Sequence, residues 1–192
     1  MSTPMVLISS ADMLLPVITK MINLSLNSGE FEEDWKCWLI NPILKKPGLD
    51  LRYKNYRSFS NLQYVSKLTE KVIFNQVYDH MVSNAIFPAL QSFYRQFHNT
   101  ETALIKVMND ILLNMNSQHV TMLILLDLSA AFDTVDHRIL LERLSDEVGI
   151  RETALNWFRS YLSDRSQRVS VHGVLSRPFD LNRGVQIGRA HV

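Results

Sequence analysis

The stretch Val120–His137, VTMLILLDLSAAFDTVDH, decides how this chain is read. A continuous apolar run ends abruptly at Asp127, and Asp133, Asp136 and His137 follow it closely. An apolar run of strand length bounded by polar residues predicts a strand buried on both faces. Ligands of α/β folds collect at the carboxyl ends of such strands, which would set Asp127 facing a cleft. The acids also suit a plainer role, because a carboxylate ahead of a helix accepts its orphan N–H groups. Spacing alone favours capping or solvation for each acid taken singly, and Asp136 before "HRILLERL" suits capping well. An EF-hand loop fails, since Leu128, Ala130 and Ala131 stand where oxygen ligands belong. The Asp-x-Asp of a phosphoaspartyl transferase fails at Ser129. One well-placed carboxylate remains. Magnesium takes one or two protein carboxylates and leaves the rest to water and phosphate. A two-metal site therefore wants a second carboxylate from another strand, and nothing before Asp127 is an obvious supplier.

Around this stretch the composition sets bounds. The chain has 192 residues, enough for one large domain or two small ones. With 46% hydrophobic and 20% charged residues it reads as globular. Lys+Arg 20 against Asp+Glu 19 leaves a net charge of +1, so any basic surface must be local. The single cysteine, Cys37, cannot form an intramolecular disulfide, which fits a reducing compartment. Standing between Trp35 and Trp38, it is expected to be a buried structural thiol. The N-terminal segment is apolar, but it has no basic leader, and Asp12, Pro16 and Lys20 interrupt it. Neither a signal peptide nor a membrane span is expected, and the default is a soluble intracellular protein, nucleus or cytoplasm unresolved.

Helical spacing of Leu14, Leu15, Ile18, Met21, Ile22 and Leu26 predicts a first helix that Gly29 stops. "KCWLINPILKK" reads as a strand ending in a turn at Pro47-Gly48, and "GLDLRYKNYRSFSNL" as a polar, basic loop. A helix is predicted from about Ser66 to Asn84, then the irregular "FPALQSFYRQFHNT", then a helix opening at Thr100. "HRILLERLSDEVGI" and "ETALNWFRSYLSD" predict two helices joined at Gly149, and "QRVSVHG" and "RPFDLNRG" predict paired strands. The class is α+β or α/β, with mixed elements around one central strand.

"LLDLSAAFDTVDH" resembles motif A of the reverse transcriptases of non-LTR, LINE-type (jockey-like) retrotransposons. "INPILKKPGLD" with "KNYRSFSNL" resembles their finger motifs, "LQSFYRQFHNTETAL" the segment that follows, and "ALNWFRSYLSDRSQRV" the segment before motif B. The resemblance runs in order from about Leu14 to Val185. It implies an α+β fold, the fingers and partial palm of a right-hand polymerase, with helices around a small antiparallel sheet. It implies template-directed DNA synthesis by two-metal nucleotidyl transfer, with an RNA template, a DNA primer, dNTPs and two Mg2+ ions. By this resemblance Asp127 is the first metal-binding and catalytic aspartate of the palm. Phe132 is the aromatic that leaves no room for a ribose 2′-hydroxyl, and Leu128 to Ala131 pass the triphosphate. Arg57 grips the incoming triphosphate with its fork of donors. Lys45 or Lys46 adds a second positive charge, the choice between them open. Gln91 and Arg95 fall in a segment that resembles template-contacting fingers, though surface charge is an equal reading for Arg95. Trp157, Phe158 and Tyr161 match the family yet share one helix face, and are expected to be core.

The sequence departs from the family at three places. Ser58 and Phe59 replace a proline and an isoleucine after Arg57, and Phe93 replaces an alanine. The family's Gly-Val-Pro-Gln-Gly-Ser reads Gly184-Val185-Gln186-Ile187-Gly188-Arg189 here, and no Asp-Asp pair occurs in the chain. Residues 186–192 are expected to be a non-native tail after a partial polymerase domain spanning 1–185, because "IGRAHV" is what ATCGGAAGAGCACACGTC encodes, a string that resembles a sequencing adapter. With one catalytic carboxylate the isolated chain is expected to be inactive. A non-catalytic nucleic-acid-binding relic and an unstable decayed fragment are the alternatives.

Overall fold

A computed structural model of the protein describes residues 11–52, 55–127 and 131–185, with residues 57–61 described through their backbone. The chain divides into two compact units, 1–78 with 130–192, and 79–129.

The first unit is built on a mixed sheet. α1 (Ala11–Ser28) and a short 3-10 turn (Glu33–Trp35) lead to β1 (Cys37–Leu44), β2 (Tyr56–Asn61) and α2 (Tyr64–Ser83), which runs on into the second unit. α3 (Thr100–Asn116) lies in the second unit, and the first resumes with α4 (His137–Asp146), α5 (Glu152–Leu162), β3 (Ser166–Val171), β4 (Val174–Leu175) and β5 (Phe179–Asp180). The strand order is β2-β1-β3-β4, with β5 also paired to β3. β1 meets β2 antiparallel but meets β3 parallel, so the expected antiparallel sheet is in fact mixed. A parallel pair needs a long crossover, and everything from β2 to α5 supplies it.

Pro42 inside β1 fits this arrangement. Lys45 N–H donates to the Asn55 carbonyl (2.8 Å), which fixes the alternation of the β1–β2 ladder and turns the nitrogen of Pro42 away from β2. On that side the pairing with β3 has already ended at Ile40, so the missing donor leaves no gap. β2 is itself a correction: the polar, basic stretch at Tyr56–Asn61 pairs with β1 along six residues. Its local sequence signals a loop, but an available strand edge outweighs weak intrinsic preference. Cys37 corrects a second expectation, since it is exposed while its neighbour Trp38 is buried. Successive strand residues point to opposite faces, and the tryptophan takes the inner one.

The core is aromatic. Phe31, Trp35 and Trp157 are buried, with Phe158, Tyr161, Leu26, Val65 and Ile73 packed against them. Phe31 meets Trp35, Trp157 and Tyr161 edge-on at 5.0–5.5 Å, and Trp157 stacks on Tyr161 at 5.3 Å. Each fully buried ring contributes about 2 kcal/mol by area. Hydrogen bonds set the register: Trp157 Nε1 donates to Ser25 Oγ (3.0 Å), and Phe31 N–H to Ser160 Oγ (3.0 Å). Gly29 ends α1 at φ +72°, and a Cβ there would lie 2.9 Å from the Thr153 carbonyl oxygen, so α1 and α5 meet where no side chain fits. Arg165 is 3% exposed, its guanidinium 4.0 Å above the Tyr161 ring centroid and 4.6 Å from that of Trp38. Tyr161 donates from its hydroxyl to Glu70 (2.9 Å).

In the second unit α3 opens with a capping box. Asn99 Oδ1 accepts from Thr102 N–H (2.8 Å) and Thr102 Oγ1 accepts from Asn99 N–H (2.9 Å). The segment after it overturns the central expectation. Residues 121–127 form neither strand nor helix, and Leu125 and Leu126 are 83% and 88% exposed. A strand exists only by pairing, and none of the described strands pairs with this run. The apolar run is therefore not the core strand that its composition predicts.

Candidate functional site

The basic residues of the β1–β2 hairpin gather at one of its ends. Ile43 pairs with Arg57 and Leu44 with Tyr56, while Lys45 N–H closes on Asn55. Lys45 and Lys46 follow at once and are exposed. Arg52 pairs with Asp50 (2.7 Å) in the connection. The antiparallel ladder thus brings Arg57 within two register positions of Lys45 and three of Lys46, which sequence distance alone does not require.

Asp127 is exposed at the end of the irregular apolar segment, not at the end of a buried strand. Leu128 lies outside the described residues. Ala131 is half-buried and Phe132 is 37% exposed, both in a turn spanning residues 131–134. That turn is joined to a segment far along the chain. Val185 N–H donates to the Phe132 carbonyl (2.9 Å) and Gly184 N–H to the Val135 carbonyl (2.8 Å). His137 Nε2 lies 2.8 Å from the Gly184 carbonyl oxygen. A carbonyl only accepts, so Nε2 carries the proton and donates. Nothing local in the sequence pairs residues 132–137 with 184–185; only the resemblance of the two segments to family motifs hints at it.

Asp136 caps α4 as its spacing suggests. Its carboxylate accepts from Arg138 N–H (2.9 Å) and Ile139 N–H (3.2 Å). The Ile139 bond, before all else, holds the carboxyl below its ordinary range. Gln91 donates to the Phe93 carbonyl (3.2 Å), and Arg95 folds back toward the Gln91 carbonyl (3.4 Å) with its guanidinium 5.8 Å from the Phe87 ring centroid. Both side chains support their own loop. Trp157, Phe158 and Tyr161 belong to the core, as their single-face spacing indicates.

Among the described residues no three His, Cys, Asp or Glu side chains stand together as a metal site. Asp127 alone has the chemistry of one magnesium ligand whose other positions go to water and phosphate, but not of a two-ion clamp. No helix of the described residues is long and apolar enough to cross a membrane.

The mixed α/β architecture fits the family that sequence comparison gives. The chain belongs to the reverse transcriptase (RNA-dependent DNA polymerase) family, whose pattern matches residues 43–190. Mobile elements of Drosophila melanogaster include proteins similar to it. It is similar to the probable RNA-directed DNA polymerase from transposon BS (29% identity over 158 residues, 82% of this chain and 17% of that protein). It is similar also to the probable RNA-directed DNA polymerase from transposon X-element (29% over 172 residues, 89% and 19%). The RNA-directed DNA polymerase from mobile element jockey matches at 28% over 177 residues, 92% of this chain and 19% of the relative. The jockey-like, non-LTR resemblance read from the motifs is therefore borne out. The chain spans about a fifth of the length of these relatives.

Proposed function

We propose that this chain contributes the fingers and the first part of the palm to an RNA-directed DNA polymerase, with residues 1–185 as that partial domain. The reading rests on the clasp between the turn bearing Phe132 and the Gly184–Val185 segment. It joins two segments that resemble motifs A and B, the walls expected to flank a nucleotide. The substrates are a dNTP, a DNA primer and an RNA template. Arg57 and one of Lys45 and Lys46 neutralise triphosphate charge, a task suited to cations collected at one hairpin end. Ala131, with Leu128, lets the phosphates pass close to backbone, and Phe132 excludes a 2′-hydroxyl by bulk. Asp127 is a magnesium ligand. Bound magnesium supplies Lewis-acid stabilisation of the phosphoryl group in transfer. Gln91 and Arg95 are assigned to template contact, and their loop is ordered by the contacts described above.

Primer extension tests this reading. In the complete polymerase carrying the segment, Asp127→Asn is expected to abolish dNTP incorporation and Arg57→Ala to raise the KM for dNTP. The 192-residue chain alone is expected to extend no primer, because it offers one metal carboxylate where two-metal transfer wants a second. Incorporation that survives Asp127→Asn would overturn the assignment. RNA binding that weakens with salt but ignores magnesium and Asp127 favours the alternative, a non-catalytic nucleic-acid-binding relic.

A further inference from the structure

The clasp has one side-chain member with no assigned role. Phe132 is 37% exposed, so packing alone does not fix its ring, and the backbone of its turn must. That backbone is tied to Val185 through the Phe132 carbonyl and to Gly184 through the Val135 carbonyl. The Gly184–Val185 segment needs an anchor of its own, and His137 provides it by donating from Nε2 to the Gly184 carbonyl (2.8 Å). His137 is the first residue of α4, whose start is held by the Asp136 cap, so the donor stands on a rigid element. Gly184 completes the fit. It sits at φ +86°, and a Cβ there would fall 2.9 Å from the Asp133 carbonyl oxygen and 3.1 Å from the Asp133 Cα. The two segments meet at backbone distance, which only glycine permits.

The geometry points to His137 as a positioning residue for sugar selection. It fastens residues 184–185 against the turn and thereby sets the height of the Phe132 ring beneath the nucleotide. The inference rests on the reading of Phe132 given above and adds a residue that acts through it. His137 does not touch substrate. Losing it lowers discrimination between dNTP and rNTP without removing the aromatic ring.

Two measurements test it together. In the 192-residue chain, His137→Ala is expected to speed amide exchange at Gly184 and Val185 by roughly tenfold, the scale of one hydrogen bond. His137→Gln keeps a donor at similar reach and is expected to restore protection. In the complete polymerase, His137→Ala is expected to lower the ratio of kcat/KM for dNTP over rNTP, again by roughly tenfold, with His137→Gln close to the parent. Phe132→Val is the control. If it relaxes discrimination while His137→Ala leaves the ratio unchanged, the positioning role is overturned and Phe132 stands. If Phe132→Val changes nothing, the reading of Phe132 falls and the inference with it. Unchanged exchange at Gly184 and Val185 in His137→Ala also overturns it. Gly184→Ala is expected to reproduce the relaxed ratio, and His137→Ala decides the matter if that variant fails to fold.

Discussion

Glu70 and Tyr161 show how a buried acid trades one cost against another. Burial pushes the Glu70 carboxyl above its ordinary value of 4.5, against the opposing pull of the Tyr161 hydrogen bond and the Arg165 charge. Burial and the neighbouring Glu70 charge push the Tyr161 hydroxyl up to about 12, so it remains a donor at neutral pH. An acid whose folded pKa is raised binds its proton more tightly in the fold, so stability falls as pH rises through the window above 4.5. Glu70→Gln keeps an acceptor for Tyr161 and removes that dependence. Its melting temperature is expected to exceed that of the parent at pH 7, with the difference vanishing in acid. A lower melting temperature at pH 7 would show that attraction to Arg165 outweighs desolvation. Asp136 has the opposite sign. Its carboxyl is held below its ordinary 3.8, so its contribution is present above that value and lost as pH falls through the lower folded value. Asp136→Ala is expected to melt lower than the parent at pH 7 and to converge with it in strong acid, as circular dichroism melts at both values would show.

At the scale of elements, the junction of α1 and α5 is sharply constrained. Gly29→Ala adds a Cβ 2.9 Å from the Thr153 carbonyl oxygen at φ +72°. The left-handed conformation alone costs roughly 1–2 kcal/mol, and the clash adds to it. Chemical denaturation is expected to show at least that loss, and a midpoint like the parent's would mean that α5 can shift away. The helices around this junction were legible because their signals are local. The apolar period of Leu14–Leu26 and the glycine stop gave α1, and single-face aromatic spacing placed Trp157 and Tyr161 in the core. β1 and the β3–β5 pairing were legible for the same reason. What was not legible depends on partners. Tyr56–Asn61 is a strand because β1 offers an edge, and Cys37 is exposed because Trp38 takes the inner face. The site follows the same division. Asp136 announced itself as a cap by spacing, and the resemblance pointed to Asp127 and Phe132. The contact of His137 with Gly184 joins residues 47 positions apart and left no local trace.

For the whole molecule, the largest consequence lies in residues 120–126. Seven consecutive residues that composition would bury stand in the open: Val120 is 98% exposed, Ile124 69% and Leu126 88%. An exposed apolar run whose backbone groups pair with none of the described strands is a template for association with other chains. The 192-residue chain is therefore expected to self-associate with rising concentration and to bind a hydrophobic dye. The double substitution Ile124→Lys with Leu126→Lys places two charges on that run without disturbing buried contacts. Sedimentation velocity is expected to show association in the parent and its suppression in the variant, with the thermal midpoint unchanged because both side chains are already exposed. Concentration-independent sedimentation of the parent would argue against association. A variant that loses its fold would mean that the run is packed in solution, and the strand first inferred from VTMLILLD would regain its claim.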